Sequence, residues 1–307
     1  MSLSVKDLIS IADLSTKEIM TILDQADEME KIVQSKKPSK RLAGRILATL
    51  FYEPSTRTRL SFESAMARLG GSSISVADVG ASSVAKGESL ADTIRTVENY
   101  ADIIVIRHPQ EGSAQWASEV AKVPIINAGD GTGRHPTQTL LDLSTIRRSQ
   151  GRLDNLNIAM LGDLRFGRTV HSLSYAITRF TDRLYCIAPN GLELPTEIVG
   201  DLREQGKEVI ETTNLQEILP KLDVLYVTRI QKERFPTPTD YEKVRGIYQI
   251  DKTLLQHVKP TLDILHPLPR VDEISPEVDA TPYARYFAQM FHGVLVRMAI
   301  LTMLLEA

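Results

Sequence analysis

Short apolar runs rich in Ile, Val and Leu alternate with longer stretches of helical periodicity along the whole chain. That alternation is the mark of parallel βαβ units, whose strands are buried on both faces by the helices between them. In the first half the pattern predicts strands over Ile46–Phe51, Ser73–Val76, Ile103–Ile106 and Pro124–Asn127. Helices are expected over Lys17–Val33, Thr56–Leu69, Ser89–Asn99, Ser113–Val120 and Pro136–Arg148. The second half repeats the rhythm, with strands over Asn157–Leu161, Arg183–Ala188, Glu208–Glu211, Val224–Val227 and Leu262–Leu265. The stretch Gly151-Arg-Leu-Asp-Asn-Leu156 follows a helix and precedes a fresh strand, so it is the expected boundary. The last helix, Tyr283–Leu305, reads as amphipathic and is expected to pack back across the first domain. The expectation is an α/β fold of two similar domains, each a mainly parallel sheet flanked by helices. Residues 1–150 with helix 283–307 form one domain and residues 151–282 the other.

Composition adds limits. At 307 residues the chain is long for a single core and suits two. A net charge of −3 gives no general attraction to nucleic acid or to an anionic membrane, so an anion site must be a local basic cluster. The single cysteine, Cys186, lies in the apolar run Leu184-Tyr-Cys-Ile-Ala188 and reads as core filler. Residues Met1 to Ser15 show no apolar signal core behind a basic patch, and no apolar run is read as approaching the roughly 20 residues that cross a bilayer. A cytoplasmic protein is expected.

The densest chemistry lies in Glu53-Pro-Ser-Thr-Arg-Thr-Arg59, where a strand gives way to a helix. A helix start carries N–H groups without intrahelical partners and partial positive charge, which favours an anion. Ser55 is the N-cap candidate, and Arg57 and Arg59 supply planar guanidinium forks suited to phosphate or carboxylate oxygens. The plain alternative is a capped surface helix with solvated arginines. Further polar clusters follow strands, where α/β sheets bind their ligands. They are Arg107-His-Pro109, His135-Pro-Thr-Gln138, Gly162-Asp-Leu-Arg-Phe-Gly-Arg168, Thr228-Arg-Ile-Gln231 and His266-Pro-Leu-Pro-Arg270. Singly, each has a structural explanation: Arg107 in a surface ion pair, His135 as a satisfied buried histidine, Gly162 and Gly167 in a tight turn. Together, Arg57, Arg107, Arg168 and Arg229 at strand ends or helix starts would crowd positive charge unless a multiply charged anion joined them.

Over nearly its whole length the chain resembles the aspartate carbamoyltransferase catalytic chains. The resemblance is carried, in family order, by Phe51-Tyr-Glu-Pro-Ser-Thr-Arg-Thr-Arg59, Ser82-Ser-Val-Ala-Lys-Gly-Glu88, Arg107-His-Pro-Gln-Glu-Gly112 and His135-Pro-Thr-Gln-Thr-Leu-Leu-Asp142. It continues through Gly162-Asp-Leu-Arg-Phe-Gly-Arg-Thr-Val-His171, Thr228-Arg-Ile-Gln-Lys-Glu-Arg234 and His266-Pro-Leu-Pro-Arg270.

The resemblance implies transfer of the carbamoyl group of carbamoyl phosphate to the amine of L-aspartate in pyrimidine biosynthesis, by a trimer with shared active sites. It assigns the phosphate to Ser55, Thr56, Arg57, Thr58 and Arg107, with Arg57 also near the bridging oxygen. The carbamoyl oxygen faces His135, Thr58 and Arg107, while Gln138 and the carbonyls of Pro267 and Leu268 hold its NH2. A cis peptide is expected at Leu268-Pro269. Arg168, Arg229 and Gln231 are implied for the aspartate carboxylates, in the second domain, so that substrate bridges the lobes. Lys86, also aspartate-binding and catalytic by resemblance, and Ser82 are implied to enter a neighbouring subunit's site. Neither metal nor organic cofactor is implied in this chain, although many relatives associate with a zinc-containing regulatory chain.

Ala85 departs from relatives with a second lysine there, and Arg134 replaces a commoner neutral residue. The nearest enzymatic alternative is ornithine carbamoyltransferase, whose cationic co-substrate would suit Arg229 and Arg234 poorly. This chain also has His-Pro-Leu-Pro where that enzyme has His-Cys-Leu-Pro, and it lacks the Ser-Met-Gly loop. A non-catalytic, anion-binding paralogue is the other alternative.

Overall fold

A computed structural model describes residues 3–35, 37–76, 87–235 and 237–306, except for the side chains of residues 233, 238 and 240. The chain divides into two compact units, one of residues 1–144 and 290–307 and the other of residues 145–289.

The first unit runs α1 (Thr16–Ser35), β1 (Ile46–Phe51), α2 (Thr56–Arg68), β2 (Ser72–Val76), α3 (Leu90–Val97), β3 (Ile103–His108), α4 (Ser113–Val120), β4 (Ile125–Asp130) and the start of α5 (Pro136–Gln150). Its strands lie in the order β2-β1-β3-β4, and every pairing is parallel. β1, β3 and β4 are buried nearly end to end, because helices cover both faces. One face packs Ala48 and Leu50 of β1 and Ile104 and Ile106 of β3 against Ile94 of α3 and Ala114 and Ala117 of α4. β2 sits at the sheet edge and is largely exposed.

The second unit follows with β5 (Ile158–Leu161), α6 (Arg168–Ile177), β6 (Arg183–Ile187), α7 (Thr196–Glu204), β7 (Glu208–Thr212), α8 (Leu215–Ile218), β8 (Val224–Val227), α9 (Pro238–Val244), β9 (Asp263–Leu265) and the first turn of α10 (Tyr286–Leu305). Its sheet is again wholly parallel, in the order β7-β6-β5-β8-β9. Cys186 on β6 is buried, and burial pushes its thiol up to about 12, so it is core filler and poorly nucleophilic.

The last helix corrects two expectations. α10 is 20 residues long with a mean hydropathy of 1.5 in its most apolar window, long and apolar enough by composition to cross a membrane, and 67% of that window is buried inside the protein. It is not amphipathic along its length: residues 295–304 are all buried, and the exposed Phe287 and Phe291 sit near its start. A helix that is apolar all round belongs in a core.

Parallel strands place all their carboxyl ends on one edge of the sheet. A crevice opens there wherever the chain leaves two neighbouring strands in opposite directions. In the first unit that point lies between β1, which leads to β2 on one side, and β3, which leads to β4 on the other. In the second unit it lies between β5 and β8.

The start of α1 carries its own pH-sensitive device. Ser15 N–H donates to Glu18 Oε2 at 2.9 Å and Glu18 N–H donates to Ser15 Oγ at 3.2 Å, a reciprocal capping box. Ser4 adds its hydroxyl and N–H to Glu18 Oε1 at 2.6 and 2.9 Å. These bonds, the Ser4 hydroxyl first, hold the Glu18 carboxyl down at about 2 from its ordinary 4.5. A depressed carboxyl stabilises the fold above its unfolded value and loses that contribution as the pH falls through its folded value. Because Glu18 lies at the surface, only partly covered, its advantage over Glu18→Gln is expected to stay below about 1 kcal/mol. It should be constant above pH 4.5 and shrink toward pH 2. Urea unfolding of both chains across that range is the check; a difference unaltered by pH contradicts it.

Candidate active site

β1 ends at Phe51, whose register partner on β3 is Arg107. The Tyr52 and Glu53 N–H groups both donate to the Arg107 carbonyl, at 2.8 and 3.4 Å, so the loop entering α2 is tied to the end of β3. Ser55 takes the extended conformation of an N-cap, with φ −156° and ψ 98°, but its side chain accepts no capping hydrogen bond. Its hydroxyl instead donates to Thr58 Oγ1 at 3.0 Å. The expected side-chain cap is therefore corrected: Ser55 occupies the position without capping the first-turn N–H groups. Thr56 and Arg57 are exposed, whereas Thr58 is buried on the inner side of the first turn.

Arg107 is the most enclosed of the candidate arginines, at 9% exposure. Its Nη1 donates to the Ala128 carbonyl at 3.0 Å and its Nη2 pairs with Glu53. This amends the argument from crowded positive charge, since Glu53 already offsets part of it. Arg59 likewise has Glu63 at 3.7 Å, one helical turn on.

His135 and Gln138 are buried at the start of α5. The Gln138 and Thr139 N–H groups donate to the His135 carbonyl at 3.1 and 3.2 Å, which starts the helix at that histidine. The preceding loop is held by Asp130, whose Oδ1 accepts from Asn127 Nδ2 and Arg134 N–H at 3.0 Å each and whose Oδ2 accepts from Gly112 N–H at 2.9 Å. Arg134 thus contributes its backbone to the loop. The first unit therefore gathers Ser55, Thr56, Arg57, Thr58, Arg107, His135 and Gln138 at the carboxyl ends of β1, β3 and β4. Ser82, Ala85 and Lys86 lie outside the described residues.

In the second unit the loop after β5 passes against the loop after β8. Gly162 has φ +117°, and a Cβ there would stand 2.2 Å from the Thr228 carbonyl oxygen, so only glycine fits. Asp163 beyond it is fully buried, with Oδ1 accepting from Phe166 N–H at 3.0 Å and Oδ2 from Gln231 N–H at 3.4 Å. Burial raises its carboxyl above the ordinary value, against the pull of those N–H groups. Gln231 Nε2 donates to the Phe166 carbonyl at 3.1 Å, locking the two loops together. Arg168, the first residue of α6, and Arg229, two residues past β8, are both partly exposed. Arg168, Arg229 and Gln231 therefore flank the β5/β8 switch point.

The third cluster of this unit follows β9. Leu268-Pro269 is a cis peptide, as expected, and Leu268 has φ +57°. Leu268 N–H donates to His266 Nδ1 at 2.8 Å, while His266 Nε2 lies 2.6 Å from Glu273 Oε1. Glu273 Oε2 accepts from the Val271 and Asp272 N–H groups at 3.1 Å each. Burial pushes the Glu273 carboxyl up, but His266 and these N–H groups together hold it below its ordinary value.

Sequence reasoning missed the carboxylates that hold these clusters: Glu53, Asp130, Asp163 and Glu273. Their signal was adjacency, since each lies within a motif or within a few residues of one.

Two parallel α/β units, each presenting cationic and hydrogen-bonding side chains at its switch point, define a protein built to bind small anionic ligands at strand ends. Comparison with known proteins narrows that class. Residues 6–148 match the family model described as "Aspartate/ornithine carbamoyltransferase, carbamoyl-P binding domain". Residues 154–304 match "Aspartate/ornithine carbamoyltransferase, Asp/Orn binding domain". The chain belongs to the aspartate/ornithine carbamoyltransferase family.

Among its relatives, the aspartate carbamoyltransferase catalytic subunit of Thermococcus onnurineus is 58% identical over 296 residues, covering 96% of each chain. That of Methanocaldococcus jannaschii is 56% identical over 303 residues, covering 98% of each. The solved catalytic subunit of M. jannaschii aspartate transcarbamoylase superposes with a TM-score of 0.93 at 56% identity, covering 98% of both chains. Aspartate transcarbamoylase of Trypanosoma cruzi, solved with carbamoyl phosphate and aspartate, has a TM-score of 0.92 at 40% identity, covering 98% of this chain and 96% of its own.

Proposed function

We propose that this chain transfers the carbamoyl group of carbamoyl phosphate to the amine of L-aspartate, giving N-carbamoyl-L-aspartate and phosphate for pyrimidine biosynthesis. The observation that carries the reading is the convergence of Ser55, Thr58 and Arg107 at the β1/β3 switch point of a chain 54–58% identical to aspartate carbamoyltransferase catalytic subunits. The neutral amine of aspartate attacks the carbamoyl carbon. A C–N bond forms, the C–O bond to phosphate breaks, and the amine gives up one proton to the departing phosphate. Carbamoyl phosphate is already activated, so no covalent enzyme intermediate is required.

In this reading Ser55, Thr56, Arg57, Thr58 and Arg107 bind the phosphate. Arg57 stabilises the charge that grows on the departing oxygen, and Thr58, Arg107 and His135 donate to the carbamoyl oxygen. A neutral donor suffices there, so His135 needs no general-base role. Gln138 and the carbonyls of Pro267 and Leu268, ahead of Pro269, accept from the carbamoyl NH2. Arg168, Arg229 and Gln231 bind the carboxylates of aspartate, for which guanidinium forks are suited in a way that the ammonium of ornithine is not. Lys86 and Ser82 of a neighbouring subunit complete the site in a cytoplasmic homotrimer, on which a larger assembly with a zinc-containing regulatory chain, as in many relatives, can be built. The "catalytic subunit" in the relatives' names supports that larger assembly.

The test is product analysis after incubating the purified chain with carbamoyl phosphate and either L-aspartate or L-ornithine. Carbamoyl-aspartate is expected, with no substantial product from ornithine; turnover of ornithine alone overturns the assignment. Binding of carbamoyl phosphate without turnover of either amine favours the non-catalytic alternative.

A further inference from the structure

Gln138 and Asp142 stand four residues apart on α5, on one helix face. Gln138 Nε2 donates to Asp142 Oδ1 at 2.9 Å, and Asp142 is fully buried. The side-chain amide is nearly symmetric in shape but not in chemistry: one end donates and the other accepts. An ionised carboxylate only accepts, so it selects the NH2 end of Gln138 and turns the amide oxygen away from itself.

The charge that acts with Asp142 is that of Arg297, a cation within the apolar part of α10. Burial pulls the Arg297 guanidinium down to about 10 against the pull of Asp142, so Arg297 stays cationic at neutral pH. Arg297 is itself held in place. Its Nη1 donates to Ser61 Oγ at 2.9 Å, its Nη2 donates to Thr137 Oγ1 at 3.5 Å, and its guanidinium carbon lies 5.0 Å from the centre of the Phe62 ring. Gly293 leaves the room, since a Cβ there would stand 2.6 Å from Nη1.

We propose that Asp142 is a positioning residue for carbamoyl transfer, whose carboxylate fixes the Gln138 amide with its oxygen presented to the carbamoyl NH2. The inference rests on the assignment of Gln138 to that group in the proposed function. It explains how a neutral amide selects an acyl phosphate bearing an NH2: a fixed acceptor rewards a donor and is left unpaired by anything lacking one.

Asp142→Asn keeps the size of the side chain but no longer dictates the sense of the amide, because asparagine carries both donor and acceptor. Calorimetric titration with carbamoyl phosphate and, separately, inorganic phosphate is done on the parent, Asp142→Asn, Gln138→Ala and the double variant. Asp142→Asn is expected to weaken carbamoyl phosphate by about tenfold and to leave inorganic phosphate unchanged. On the Gln138→Ala background it should add nothing further.

Equal weakening of both ligands would show a general packing role and overturn the proposal, as would unchanged affinity for carbamoyl phosphate or additive effects in the double variant. If Asp142→Asn does not fold, the parent still decides by NMR. The Gln138 NH2 should exchange slowly with solvent, with and without carbamoyl phosphate; fast exchange contradicts the bond to Asp142. A parent that binds carbamoyl phosphate no more tightly than inorganic phosphate overturns the functional reading itself. A parent that discriminates, alongside an Asp142→Asn chain that discriminates equally, overturns only the present inference.

Discussion

Arg57→Ala is expected to lower kcat for carbamoyl-aspartate formation by about a hundred- to a thousandfold, the loss typical of removing one fixed donor from a developing oxyanion. Arg57 is the second residue of α2, exposed beside the N-terminus of the helix, where partial positive charge already favours an anion. In the proposed site the ground-state phosphate is held by several other groups as well. As the C–O bond breaks, charge collects on the bridging oxygen, and an interaction that strengthens there lowers the barrier more than it tightens binding. Because the side chain is exposed, truncation should change unfolding free energy by no more than about 0.5 kcal/mol. Steady-state kinetics and urea unfolding of the same preparation test both halves; a kcat within twofold of the parent would remove Arg57 from the chemistry.

Arg107→Ala should instead damage binding and stability together. Arg107 is buried, bonded to the Ala128 carbonyl and paired with Glu53, so its removal leaves a carboxylate and a carbonyl short of a partner at the end of the sheet. Breaking such a pair costs about 2–4 kcal/mol, at the lower side of the range for buried charges because Glu53 is partly exposed. Affinity for inorganic phosphate should fall by about two orders of magnitude, since one guanidinium supplies charge-assisted hydrogen bonds in a partly desolvated place. Arg107→Lys is expected to recover part of the stability and little of the affinity, because a lysine cannot reproduce the fork that reaches Ala128 and Glu53 at once. Calorimetry with phosphate and urea midpoints give the two readouts. A phosphate affinity unaffected in both variants would assign Arg107 to architecture alone.

The contrast between these arginines follows from burial. Arg57 sits at an exposed helix start, whereas Arg107 is built into the join of β1 and β3. Both look alike in sequence, each a cation at an element boundary. Distinguishing a replaceable ligand contact from one that also stabilises the fold required their surroundings.

Much of the fold was legible. The runs Ile46–Phe51 and Val224–Val227 form strands over those same residues, and Ser113–Val120 forms a helix over the same span. A parallel strand buried on both faces needs an uninterrupted apolar run, which leaves little freedom in where it begins and ends. The short helices α8 and α9 were not anticipated, since four and seven residues carry too little periodicity to register. The reading of α10 as amphipathic failed for a related reason: its exposed positions lie near its start instead of forming a stripe along it.

The candidate site divides in the same way. The Ser-Thr-Arg-Thr, His-Pro-Thr-Gln and His-Pro-Leu-Pro segments stood out because residues with special chemistry crowd into a few positions after strands. The carboxylates that orient them did not. Glu53 meets Arg107 across 54 residues of sequence, Gln231 meets Asp163 across 68, and Arg297 reaches Ser61 across 236. Asp142 was within reach of sequence reasoning, being one helical turn from Gln138. The charge opposite it was not, because it comes from the far end of the chain.

What the sequence alone determined, then, is the local part: which runs become strands and helices, and which side chains follow a strand's carboxyl end. Those properties depend on residues within a few positions of one another. The tertiary structure decided strand order, and with it the two switch points at which the clusters gather, as well as the ionic partners that set each group's charge and direction. Parallel neighbours are joined only through crossovers, and the ion pairs lie tens to hundreds of residues apart in sequence. No local pattern specifies such contacts; they exist only once both cores have formed.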